Sequence, residues 1–147
     1  MYKQILVAVD DSDTSQLAFQ EAIKLAKEQQ STLRLIHVVD EYFYTTGTID
    51  YLAYEKVIKE QGQLLLTQLK EQAHHAGVKV ECKLIEIVEY APRISEKIVK
   101  EAIECKADLI VIGTHGRRGF SRFVLGSVAE GVIRMATIPV LLIRSTQ

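Results

Sequence analysis

Apolar residues along this chain fall into two alternating patterns. Short runs rich in Ile, Leu and Val occupy residues 5–9, 33–39, 78–87, 109–112 and 140–143, nearly continuous in all but the third. Between them lie longer stretches in which apolar residues return every three or four positions. The first such stretch carries Leu17, Ala18, Ala22, Leu25 and Ala26; the second carries Ile58, Leu65, Leu69 and Ala73 and stops at Gly77, where a left-handed cap is cheap. A third starts at Pro92 with Ile94, Ile98, Val99, Ala102 and Ile103 as its buried stripe, and a fourth carries Val128, Val132, Ile133 and Ala136. Strands apolar on both sides need cover on both sides. Five of them alternating with four helices therefore predict a doubly wound α/β fold, Rossmann-like, with a parallel sheet between helical layers. Residues 40–50 follow neither period and form a long connection, and no linker, repeat or low-complexity tract interrupts the pattern.

Composition sets the scale. At 147 residues, 48% of them apolar, the chain is long enough for one buried core and too short for two ordinary domains, so residues 1–147 are expected to form one domain. Eighteen basic against nineteen acidic side chains leave a net charge of −1, which argues against a general nucleic-acid surface and makes any local cationic segment a specific feature. The opening apolar run of five is too short for a signal sequence or a membrane span, so no membrane association and a cytoplasmic location are expected. Cys82 and Cys105 lack the spacing of a redox or zinc motif and are expected to be reduced and buried.

The chemistry concentrates after the fourth predicted strand. Residues 113–127 read Gly-Thr-His-Gly-Arg-Arg-Gly-Phe-Ser-Arg-Phe-Val-Leu-Gly-Ser, with Arg117, Arg118 and Arg122 and no acid. Residues without Cβ let backbone N–H groups approach an anion, and the stretch runs into a helix N-terminus with unpaired donors and a positive dipole end. Strand, glycine loop and helix start together indicate a nucleotide phosphate site. Asp10, at the tip of the first strand, is suited to accept from ribose hydroxyls or from water on a metal; the alternative is a solvated loop acid. The Gly-x-Gly-x-x-Gly fingerprint of dinucleotide folds is missing, as is the P-loop sequence. Asp13 with Gln16 reads as a capping pair for the first helix, and Ser127 with Glu130 as a capping box that is compatible with a phosphate contact by Ser127. His115 is open between phosphate contact and simple solvation. His74 and His75 read as a solvated helix end, and Tyr42, Tyr44, Tyr51 and Tyr54 as packing or as a roof over a ligand.

These residues resemble the universal stress protein family, whose ATP-binding members carry Gly, two residues, Gly, nine residues, then Gly-Ser or Gly-Thr. Gly113, Gly116 and Gly126-Ser127 match without a gap, and the likeness extends from Ile-Leu-Val-Ala-Val-Asp10 through His37-Val-Val-Asp40 and residues 107–116 to the closing Ile138-Pro-Val-Leu-Leu-Ile143. The resemblance implies strand order 3-2-1-4-5 with the ligand between the tips of the first and fourth strands. It further implies that Ala8, Val9 and Asp10 line the adenosine side, that Val38 lies near the base, and that Ile112 and Gly113 touch the ribose. Gly116, Arg117, Gly126, Ser127 and Val128 would hold the phosphates. Ala8-Val9 departs from the Pro-Thr that some relatives carry before the aspartate. The implied function is an ATP-binding, Mg²⁺-dependent regulatory module of the stress response, a homodimer through the C-terminal edge strand 140–143. The alternative is a slow ATPase or phosphotransferase, for which no catalytic base or P-loop lysine is evident.

Overall fold

The computed structural model describes residues 1–40, 51–88, 92–115 and 125–145. Strands β1 (Gln4–Ala8), β2 (Thr32–Asp40), β3 (Lys79–Ile87), β4 (Leu109–Gly113) and β5 (Val140–Ile143) alternate with helices α1 (Asp13–Gln29), α2 (Tyr51–His75), α3 (Ile94–Glu104) and α4 (Ser127–Met135). All strand pairs are parallel and the sheet order is β3-β2-β1-β4-β5. Every connection in such a sheet must cross over one face, which is why a helix stands between each strand and the next.

Alternation along the strands divides the core in two. Ile5, Val7, Val9, Leu33, Leu35 and Val111 pack with Ala18, Phe19, Ala22 and Ala26 of α1 and Leu66, Leu69 and Ala73 of α2. Leu6, Ile36, Ile110 and Ile112 meet Ile98 and Ala102 of α3 and Val132 of α4 on the opposite face. The predicted helices are all present, with narrower stripes than the sequence suggests. Leu17, Ile103 and Ile133 are 44%, 67% and 44% exposed. Ile103 lies five residues beyond Ile98, about 140° around the helix, and so leaves the buried side. Ala136 is the C-cap of α4, outside its last turn, and α3 starts at Ile94 with Arg93 as N-cap, two residues after Pro92. Helix α2 does stop where expected: Gly77 has φ +79°, and Gly77 N and Val78 N donate to His74 O at 2.9 Å and Ala73 O at 3.0 Å.

The outer part of the α3 face is held by charge. Glu101, 3% exposed, accepts from Arg34 Nε at 2.9 Å through Oε1 and from Lys83 Nζ at 2.7 Å through Oε2, while Arg34 Nη1 reaches Glu81 at 3.3 Å. Burial alone would raise the Glu101 carboxyl; the hydrogen bonds and charges of Lys83 and Arg34 outweigh it and hold the group below its ordinary value. Cys82 and Cys105 are free but only half-buried, correcting the expectation of full burial, and they pack against opposite faces of the sheet. Burial pushes both thiols up, the unreactive direction.

Candidate functional site

β1 pairs with β2 on one side and β4 on the other, and the chain leaves the tips of β1 and β4 toward opposite faces. A crevice opens between two such tips in any open α/β sheet.

The β1 tip is tightly tied. Val9 N donates to Ile36 O at 2.8 Å, and Val9 O accepts from His37 Nδ1 at 2.7 Å. The Val9 side chain is buried on the α1–α2 face, so its part at the crevice is to fix its neighbours. Asp10 is half-buried: its N–H donates to Ser15 Oγ at 2.8 Å, and its Oδ1 accepts from Ser12 N at 2.8 Å and from the Ser12 hydroxyl. Ser12 is the N-cap of α1, with Oγ accepting from Ser15 N at 3.3 Å. The expected Asp13–Gln16 capping pair is therefore replaced: Asp13 is the first helical residue, and the Gln16 side chain turns toward Gln72 of α2. Serine at 12 takes the cap because its short hydroxyl serves the first turn while joining Asp10 in the strand-to-helix turn. With Oδ1 committed to that turn, a ligand contact by Asp10 falls to Oδ2.

The β4 tip is clamped from both sides. A Cβ at Gly113 would lie 2.9 Å from Thr14 Oγ1 and 3.0 Å from Thr14 C, so glycine there lets the start of α1 close on β4, and the Thr14 hydroxyl donates to His115 O. Thr114 N donates to Ile143 O at 2.9 Å, and Thr114 O accepts from Gly126 N at 2.7 Å. A Cβ at Gly126 would stand 2.8 Å from that same Thr114 oxygen. Both glycines thus have protein neighbours that require them, and the Gly126 amide, expected to hold phosphate, is already spent on Thr114.

Gly126 is also the N-cap of α4, which corrects the expected capping box: Ser127 is the first helical residue, and Glu130 pairs with Arg134 at 2.8 Å instead of reaching back. Ser127 is exposed and Val128 half-buried. The first-turn amides of Ser127, Val128 and Ala129 have no acceptor within the helix and carry its positive dipole end. Ala8, Val38 and Ile112 fall on the α3–α4 face of β1, β2 and β4. Gly116, Arg117, Arg118, Arg122, Tyr42 and Tyr44 lie outside the described residues, as does the Tyr51 side chain; Tyr54 is exposed on α2. His74 and His75 are exposed in the last turn of α2, and the described residues contain no group of three or more metal-binding side chains.

Sequence reasoning passed over Thr114. It is 6% exposed, and among the described residues its buried Oγ1 has no hydrogen-bond partner, nor has Nδ1 of His115. Its signal was a hydroxyl directly after an apolar strand.

The model of the universal stress protein family matches residues 1–144. A universal stress protein of Methanocaldococcus jannaschii is 38% identical over 146 residues, 98% of this chain and 83% of the relative. The crystal structure of a universal stress protein family member from Burkholderia pseudomallei is 32% identical, with TM-score 0.81 over 98% of this chain and 97% of that one. The universal stress protein of Archaeoglobus fulgidus in complex with dAMP is 27% identical, with TM-score 0.68 over 97% and 98% of the two chains. With its sheet order, its glycine spacing and a match that runs across both strand tips, the chain belongs to the universal stress protein family.

Proposed function

We propose that this chain binds ATP with Mg²⁺ in the crevice between the β1 and β4 tips and acts as a nucleotide-dependent regulatory module of the stress response. The observation that carries this reading is the N-terminus of α4, which the Gly126 N–H to Thr114 O bond of 2.7 Å holds beside the β4 tip and whose first-turn amides at Ser127, Val128 and Ala129 have no acceptor within the helix. Ala8, Val38 and Ile112 give the base and ribose an apolar wall, with Val9 supporting it from the other face. Gly113 lies at the ribose, Gly116 and Arg117 join Ser127 and Val128 around the phosphates, and Gly126 fixes the turn that aims the helix. The dAMP complex of the Archaeoglobus relative supports a nucleotide of the adenine class.

The donor set fits magnesium. Mg²⁺ keeps most of its waters and is held by one or two carboxylates together with substrate phosphates, a role open to Asp10 Oδ2 at the edge of the crevice. Bound there, the ion would neutralise phosphate charge. Asp10 would orient its water shell, and α4 would hold the phosphate oxygens.

In this reading residues 1–147 form one cytoplasmic domain that pairs with a second copy along β5. That strand has β4 on one side and, among the described residues, nothing hydrogen-bonded on the other. The test is calorimetric titration of the purified chain with ATP, with and without Mg²⁺, and mass spectrometry of any nucleotide it carries from the cell. Tight ATP binding that strengthens with Mg²⁺ supports the proposal. No binding at millimolar ATP by folded protein overturns it.

A further inference from the structure

Helix α2 has a glycine in its interior. Gly62 is buried, on the stripe that continues through Leu66, Leu69 and Ala73, where glycine weakens a helix relative to alanine. It makes room for the ring of His37 on β2: a Cβ at Gly62 would stand 2.9 Å from His37 Cδ2 and 2.9 Å from Leu84 Cδ1. His37 is half-buried on the same face of β2 as Leu33 and Leu35, and its ring reaches across to β1, where Nδ1 lies 2.7 Å from Val9 O. A carbonyl oxygen only accepts, so Nδ1 carries the proton. β1 ends at Ala8, and the donor that Val9 O takes comes from a side chain. At the other end of the same peptide, Asp10 N donates to Ser15 Oγ at 2.8 Å, and Ser15 is buried near the start of α1. The Val9–Asp10 peptide is thereby held at its oxygen from β2 and at its nitrogen from α1. An apolar side chain at 37 would fill the space beside Gly62 without holding that peptide.

We infer that His37 is a positioning residue for the nucleotide site, fixing the Val9–Asp10 peptide through Nδ1 and so aiming the Asp10 carboxylate at the Mg²⁺ that accompanies ATP. This inference rests on the nucleotide reading of the crevice and on the assignment of Asp10 Oδ2 to the water shell of the ion. A fixed peptide sets the direction in which the Asp10 side chain leaves the backbone. Ser12 holds Oδ1 through its amide and hydroxyl, and together the two constraints leave Oδ2 one direction. His37 itself contacts no part of the ligand; its effect passes through Asp10.

That route has a signature which a packing role does not share. Orientation enforced by one neutral hydrogen bond can add no more affinity than the bond itself supplies, so His37→Leu should weaken ATP binding in Mg²⁺ about two- to tenfold. Binding of ATP without Mg²⁺ should stay as in wild type. His37→Asn, whose amide nitrogen falls near the place of Nδ1, should recover most of the loss. In an Asp10→Asn background, His37→Leu should have no further effect, because the carboxylate it positions is gone; independent residues would add their effects. The experiment is calorimetry of wild type, both His37 variants, Asp10→Asn and the double variant with ATP, with and without Mg²⁺, together with ligand-free melting curves. His37→Ala, which needs no room beside Gly62, takes the place of His37→Leu if the leucine variant does not fold. Wild-type affinity for ATP with Mg²⁺ in the folded variant, an equal loss with and without Mg²⁺, or losses that add in the double variant overturn the inference and leave the nucleotide site standing. Wild type that binds no ATP overturns the nucleotide reading itself.

Discussion

The most direct perturbation of the proposed phosphate site is Ser127→Pro. Glycine variants are poor probes, because Gly126→Val would drive a Cβ into Thr114 O, 2.8 Å away, and would unfold the turn whatever the ligand does. Proline at Ser127 avoids this. Ser127 is the first residue of α4, where a missing N–H breaks no intrahelical bond and the fixed φ of proline is already helical. The preceding residue must be extended, and Gly126 has φ −62° and ψ 152°, inside the range proline allows. The substitution therefore removes one amide donor and one hydroxyl while leaving the fold in place, and a compatible proline adds about 0.4–1 kcal/mol of stability through the unfolded chain. Each hydrogen bond to a charged group contributes about 1.5–3 kcal/mol, so loss of the amide alone should weaken ATP about ten- to a hundredfold, with Ser127→Ala reporting the hydroxyl separately. Calorimetry against ATP and a melting curve on the same samples measure both effects. A stable Ser127→Pro variant with wild-type affinity would show that the α4 N-terminus does not hold the ligand.

Three further outcomes test the fold and its assembly. Glu101→Ala strands Arg34 with only the exposed Glu81 and should cost about 3 kcal/mol in chemical denaturation, the low end for breaking a buried pair because Lys83 reaches water; a change below 0.5 kcal/mol, a surface-like value, contradicts the assignment. Stability should also fall in acid: Glu101 and Asp108, the latter held down by the Gln4 and Lys3 amides, both have lowered folded values, so their contribution is full above the unfolded carboxylate range of about 4 and is lost as pH drops through the folded ones. Denaturation midpoints flat between neutral pH and pH 3 would refute this. Sedimentation should find a dimer that Leu142→Lys weakens, and a wild-type monomer at micromolar concentration would remove β5 as the interface.

The fold was legible because its central strands, β1 and β4, are apolar on both faces and its helices on one. Ile5 to Val9 and Leu109 to Ile112 admit no other reading, and the stop at Gly77 follows from a single residue tolerant of positive φ. What sequence could not rank was competition between short polar side chains. Asp10, Ser12 and Asp13 are all good caps on paper; Ser12 wins because Asp10 Oδ1 reaches back to its amide and hydroxyl, a contact set by the angle between β1 and α1. Glycine was likewise ambiguous. At 113 and 126 it answers to Thr14 and Thr114, long-range neighbours that no local pattern reveals. The orphaned Thr114 hydroxyl was illegible for the opposite reason, since what marks it is a partner missing in three dimensions among the described residues.

The geometry of these neighbours bears on whether such a site turns over its ligand. The described donors near the proposed phosphates are backbone amides of a helix start, fixed before any ligand arrives. Fixed donors accelerate a reaction only if they are aimed at charge that develops in the transition state; donors that already fit the bound phosphate stabilise ground state and transition state alike and give affinity without rate. Asp10 is the carboxylate at the β1 tip assigned to the ion, and its Oδ1 is held by the Ser12 amide and hydroxyl. Asp10→Asn should accordingly weaken Mg²⁺–ATP binding while leaving the single-turnover rate of the bound nucleotide, on the order of one per minute or less against about ten per second for a typical enzyme, nearly unchanged. Fast hydrolysis by wild type, abolished in Asp10→Asn at constant affinity, would instead make that carboxylate a base and the crevice an active site.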